Sequence, residues 1–155
     1  MKVMGLDMYL YKKNFIWSGD WIKPELKQEV IVKKGGEVDT SFKSEKIKYV
    51  IEEAGYWRKA NQIHQWFVDN VQQGEDDCGN YYVSREQLES LLDICRKIDA
   101  DNSLAESLLP TQSGFFFGGT EYDEWYFQDI KNTIEIIENC LADESADDFE
   151  YHSSW

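Results

Sequence analysis

Apolar residues follow two rhythms along the chain, and each change of rhythm predicts where one element ends and another begins. Residues 3 to 11 alternate, with Leu6, Met8 and Leu10 on one face and Asp7, Tyr9 and Tyr11 on the other, which predicts a strand. Aspartate is depleted in strands, so the Asp7 face is either wet or gives the carboxylate a partner. Residues 14 to 28, with Trp17, Gly19, Trp21 and Pro24, read as an irregular connection held by buried aromatic anchors. Val30-Ile31-Val32 predicts a second strand, the Gly35-Gly36 pair suits a tight reversal, and residues 37 to 43 return as its hairpin partner.

The rhythm then lengthens. Ser44 caps a predicted helix in which Ile47, Val50 and Ile51 recur at helical spacing as far as Gly55. A second helix is predicted over Tyr56 to Val71, its inner face made by Tyr56, Ala60, Ile63, Phe67 and Val71, ending near Gly74. After a polar loop, Tyr81-Tyr82-Val83 suggests a short strand. Ser84 and Gln87 then form a capping box for a helix with Leu88, Leu91, Leu92, Cys95 and Ile98 on one stripe. Asp101-Asn102-Ser103 caps a short segment that Pro110 ends. Phe115-Phe116-Phe117, between glycines, is a short strand or a ligand-facing loop. Thr120 caps a last helix over Glu121 to Leu141. The fold expected is α+β, four to five helices packed on a small, mainly antiparallel sheet. Residues 1–141 are expected to form one globular domain and 142–155 a loose acidic tail, whose Phe149, Tyr151 and Trp155 could dock on it.

Composition allows such a core: 155 residues, 42% hydrophobic and 15% aromatic, are enough without metals or disulfides. Cys78, Cys95 and Cys140 are odd in number and form no C-x-x-C pair, which predicts reduced thiols. With no apolar run near membrane-spanning length and no leader pattern, a cytoplasmic protein with no membrane partner is expected. The net charge of −14 is regional. Residues 1 to 48 hold 10 Lys/Arg against 7 Asp/Glu, net +3, and residues 49 to 155 hold 6 against 23, net −17. That field repels nucleic acid, and it serves either solubility or attraction to a basic protein surface.

Candidate chemistry gathers on the central helical pattern. Trp57, Asn61 and His64 one turn apart, beside Arg58 and Lys59, offer stacking, paired hydrogen bonds and charge to a planar or anionic ligand, or else close a polar seam. Asp7 can join them. Gly118, Gly119 and Thr120 precede a predicted helix start, where free N–H groups can meet an anion, although Glu121, Asp123 and Glu124 already answer the helix dipole. No Lys-Ser/Thr follows, so this is not a P-loop, and no cofactor is implied. Asp76 and Asp77 are either solvated or hold a divalent cation, without the spacing of an EF-hand. Cys78 is a nucleophile only if His64 reaches it. Asp129 lies one turn from Trp125 and could reach a basic group.

The combination of Gly5-Leu6-Asp7-Met8-Tyr9-Leu10-Tyr11, Tyr56-Trp57-Arg58-Lys59-Ala60-Asn61 with His64 and Trp66-Phe67-Val68, Asp76-Asp77-Cys78 and Leu109 through Gly118 resembles a family of small proteins encoded by bacteriophages and prophages. The resemblance spans most of the chain and implies a genomic setting, an accessory role during infection that includes antagonism of host defences, but no mechanism. Three readings result. The first is non-enzymatic binding of a nucleotide-like ligand by Trp57, Arg58, Asn61, His64, Asp7 and Gly118 to Thr120. A second is an acidic mimic of nucleic acid that occupies a basic host protein. A third is a hydrolase using His64 with Asp7, Asp76 or Asp77.

Overall fold

The computed structural model describes residues 5–114 and 116–155. Among these, a four-stranded antiparallel sheet is built from β1 (Asp7–Phe15), β4 (Tyr49–Arg58), β5 (Asn80–Val83) and β6 (Asp148–Ser154), in the order β4-β1-β6-β5. A separate two-stranded ribbon pairs β2 (Lys33–Lys34) with β3 (Glu37–Val38). The helices are α1 (Asn61–Asn70), α2 (Arg85–Ala100), the short α3 (Ala105–Leu108) and α4 (Glu124–Ala142). The α+β class is as the periodicities predict. No helix is long and apolar enough to cross a membrane among the described residues.

Strand alternation organises the core. Leu6, Met8 and Leu10 are buried on one side of the chain entering and forming β1. From β6, Phe149, Tyr151 and Ser153 point the same way. Phe67 of α1 lies flat on Tyr151, with ring centroids 3.9 Å apart. Trp57 of β4 is buried and donates its indole N–H to Thr133 Oγ1 in α4 at 2.9 Å. Leu88, Leu91, Leu92, Cys95 and Ile98 line the buried stripe of α2, whose first turn carries the Ser84–Gln87 capping box. The outward side of the sheet carries Tyr9, which rests against Tyr11, Tyr56 and the His152 ring.

Four expectations are corrected. Residues 44 to 55 are not a helix: after one 3-10 turn the chain enters β4, whose Tyr49, Val50 and Ile51 favour extended backbone. The central helix begins at Asn61 and not at Tyr56, because Tyr56 to Arg58 alternate as strand residues opposite Asp7 to Tyr9. The predicted tail is mostly β6, an inner strand held by both β1 and β5. Its period-two apolar residues need a sheet to bury them, and acidity on the opposite face does not oppose that. The aromatic anchors Trp17 and Trp21 are exposed. They belong to an arm that leaves the sheet after Phe15 and returns at Tyr49, around the β2–β3 ribbon whose Gly35 and Gly36 take the predicted positive φ values of 60° and 86°.

Candidate functional site

The join between β4 and α1 places most of the chemistry. Lys59 turns the chain in the left-handed region, φ 55°, and its N–H is held by Leu6 O at 2.8 Å, so the strand stops and the helix starts two residues later. Strand alternation turns Tyr56 and Arg58 outward and Trp57 inward. The Asp7 carboxylate is therefore partnered: Arg58 Nη1 lies 2.9 Å away and the Tyr56 hydroxyl donates to the same oxygen. That bond pushes the Tyr56 phenol pKa up.

Asn61 does not face a ligand. Its side-chain N–H2 donates to Phe117 O at 3.0 Å and Gly119 O at 2.8 Å, while its oxygen accepts from Gln112 N–H at 2.9 Å. One buried carboxamide thus clamps both ends of the 111–119 loop. Gly118, at φ 83°, packs against Lys59, and an added Cβ would come within 3.1 Å of Lys59 Cβ. Thr120 is not the helix cap. Its carbonyl accepts from Thr111, and Asp123 caps α4 by accepting from Trp125 and Tyr126 N–H. Those N–H groups are occupied, so an anion gains nothing from them. Phe115 lies outside the described residues, and Phe116 and Phe117 form a turn rather than a strand.

His64 is fully buried, with Nδ1 2.6 Å from the Tyr151 hydroxyl and Nε2 3.0 Å from Asp76 Oδ1. Trp155 closes the chain of bonds, its indole N–H donating to that carboxylate oxygen at 3.1 Å. Burial drives the Tyr151 phenol pKa well up, helped by the charges of Asp76 and Cys78. Both imidazole nitrogens are engaged, so neither is offered to Cys78 as a base. Asp77 accepts from Gly79 N–H and the Tyr81 hydroxyl, which lowers its pKa. Among the described residues, no cluster of three or more His, Cys, Asp or Glu side chains is placed to hold a metal ion.

A cleft of about 290 Å³ opens beside this framework, between the β4–α1 join, the 111–119 loop and the start of α4. It gathers Arg58, Asn61, Gly118 and Gly119 from the predicted set, and omits Trp57, His64, Asp7 and Thr120. Other side chains line it as well. Gln62 is 3% exposed, and its Nε2 has no hydrogen-bond partner among the described residues. Asp129 stands next to it. Burial raises the Asp129 carboxyl to about 6, against a smaller lowering by the nearby Gln62 amide. The Gln62 amide thus faces the Asp129 carboxylate at or near hydrogen-bonding distance, and its Nε2 has almost no surface of its own exposed to the cleft. Trp125, one turn earlier on α4, is 71% exposed, and Lys59 lines the opposite wall. The spacing of Trp125 and Asp129 was the available sequence signal; nothing local marked Gln62. No protein-family model, curated protein or solved structure matches the chain.

Proposed function

We propose that the protein binds a small planar ligand in the Gln62–Asp129–Trp125 cleft, without chemistry of its own, as a phage or prophage accessory protein acting inside the bacterial host. The observation that carries this reading is the cleft of about 290 Å³, where the largely exposed indole of Trp125 stands one helical turn from Asp129, with Gln62 beside the carboxylate. Trp125 offers that uncovered indole for stacking. Lys59 and Arg58 at the other wall suit an anionic substituent, whereas Glu121, Asp123 and Asp129 keep phosphate away from α4. The test is thermal shift with a panel of nucleotides, nucleosides and free bases at millimolar concentration, comparing wild type with Gln62→Leu. A stabilisation seen in wild type and lost in the variant supports the site; no stabilisation by any compound removes it.

A second reading, the acidic mimic that engages a basic host protein, draws on the exposed arm between β1 and β4. There Trp21, Leu26, Ile31, Val38 and Phe42 stand in solvent while the remainder of the chain is strongly acidic. Binding to such a partner weakens steeply as salt rises, whereas a ligand held in the cleft mainly by stacking, with at most one charged substituent, loses far less.

A further inference from the structure

We infer that the open edge of β4, from Tyr49 to Glu53, is a docking site where a basic, extended segment of a partner protein adds a strand to the sheet. The inference goes beyond the cleft ligand, and it gives the basic-partner reading a contact surface separate from the arm. β4 stands last in the strand order and is paired on one side alone, by β1. The register decides which of its backbone groups face outward. Ile16 N–H donates to Lys48 O, so those two residues are a hydrogen-bonded pair, and alternation along an antiparallel ladder makes Asn14–Val50 and Lys12–Glu52 the next ones. The backbone N–H and C=O of Tyr49 and Ile51 therefore point away from β1, and among the described residues no other strand meets them. The register slips at Ala54, which ends the run at Glu53. Lysine and proline, which commonly close an edge to strand addition, are absent from β4, whereas the other edge strand, β5, is protected by being short.

Charge selects the occupant. Glu52 and Glu53 border a cleft of about 200 Å³ beside the end of α4, together with Asn139, Asp143 and Lys12. Lys12 is bonded to Asp143 at 2.8 Å and lies 3.7 Å from Glu52, and no ion pair engages Glu53 among the described residues. A second copy of the chain would bring the glutamates of both edges together on a protein that already carries −14, so like charges oppose self-pairing. A cationic strand is attracted instead. Alternation then sets the pattern of that strand. Residues directly opposite Tyr49 and Ile51 share their outer face, where both side chains are exposed and suit an apolar contact. The intervening residues share the face of Glu52, whose register partner Lys12 reaches Asp143 at the end of α4, so lysine or arginine there meets the carboxylates. The segment is one of alternating apolar and basic residues.

The experiment is fluorescence anisotropy of the full chain with a dye-labelled peptide of alternating valine and lysine, about six residues long to span Tyr49 to Glu53. The peptide binds, and binding weakens as salt rises. Its valines, facing Tyr49 and Ile51, are the residues that bond to β4, so N-methylation of the valines abolishes binding. N-methylation of the lysines, whose N–H groups point away, leaves affinity within about twofold. Ile51→Pro removes an outward N–H without touching a bond to β1 and lowers affinity at least about tenfold. Glu52→Gln combined with Glu53→Gln weakens binding roughly fivefold. A circular-dichroism melt equal to that of wild type shows that each variant is folded; if Ile51→Pro unfolds the chain, the methylated peptides decide by themselves. Equal binding of both methylated peptides shows charge attraction without strand addition: the edge assignment fails and the basic-partner reading stands. Loss with methylated lysines alone overturns the assigned pattern. No binding of the unmodified peptide at low salt overturns the edge assignment and leaves the arm as the surface for a basic partner. A dimer in sedimentation that Ile51→Pro removes assigns the edge to a second copy and overturns the proposal.

Discussion

Asp129 and His64 show how differently two buried titratable side chains can be used. Because burial raises the Asp129 carboxyl to about 6, the folded protein holds its proton more tightly than the unfolded chain does. Its contribution to stability is therefore fully present below the ordinary carboxylate pKa, near 4, and is lost as pH rises through about 6. Asp129→Asn removes that loss. The variant should be more stable than wild type at pH 8 by on the order of 1 kcal/mol, allowing for solvent screening, and equal to it at pH 4, as read from urea unfolding at both values. His64 is spent on structure. Its two nitrogens join β6 to the 75–80 loop through Tyr151 and Asp76, so His64→Ala leaves the Tyr151 hydroxyl alone in the core. A cost of about 3 kcal/mol is expected, against about 1–2 kcal/mol for Tyr151→Phe, which keeps the stacking on Phe67. Wild-type stability in His64→Ala would disprove the structural role.

At the level of elements, legibility in the sequence followed how local the determinants are. Helix α2 could be read because everything it needs lies within it: the Ser84–Gln87 box, and the stripe from Leu88 to Ile98. The face shared by Leu6, Met8 and Leu10 was equally local. The 44–71 region was misread since Tyr56, Ala60, Ile63 and Phe67 fit helical spacing, while the break is made by Lys59 in a left-handed conformation and by Ala60, a helix start with no capping side chain. Neither residue advertises that turn; its cause is the distant backbone of Leu6. For the same reason only Arg58, Asn61, Gly118 and Gly119 of the residues grouped from the sequence line the cleft, and Gln62, brought there by the tertiary approach of α4, carried no local signal. Asn61 is better understood as the fastener of the 111–119 loop. Asn61→Ala should cost about 2–3 kcal/mol and speed hydrogen exchange at the Gln112 amide, which loses its acceptor. Truncation after Ala146 tests the reassigned tail more severely. Without β6 nothing joins β1 to β5, and Phe149 and Tyr151 leave the core. The truncated chain should show no cooperative thermal transition by circular dichroism; a sigmoidal melt would contradict the inner position of β6.

Across the whole molecule, apolar surface is divided unequally. None of the buried core residues falls between Trp17 and Lys48, although that stretch carries Trp21, Ile31 and Phe42. Among the described residues, the hydrogen bonds and ion pairs given for residues 18–47 run to one another or to Ile16, Trp17 and Lys48 at the root, as in Gln28 N–H to Trp17 O and Lys27 to Asp20. At its root the arm is pinched, with Ile16 N–H donating to Lys48 O at 2.8 Å. The Ile16–Lys48 pair is thus already close enough to be closed by a three-residue loop, here Trp17 followed by two new residues. Replacing residues 18–47 by Asn-Gly, which suits a tight hairpin, should change the unfolding free energy by no more than about 0.5 kcal/mol, since the removed segment supplies no core contact and no bond to the sheet. The same replacement leaves the Gln62–Asp129–Trp125 cleft intact and so separates the two functional readings. Ligand binding in the cleft should persist unchanged in the armless protein, while any salt-sensitive association with a basic partner that uses the arm's aromatics should be lost. A large drop in stability would show that the arm folds back on the sheet in solution, and its exposure would then no longer argue for a partner.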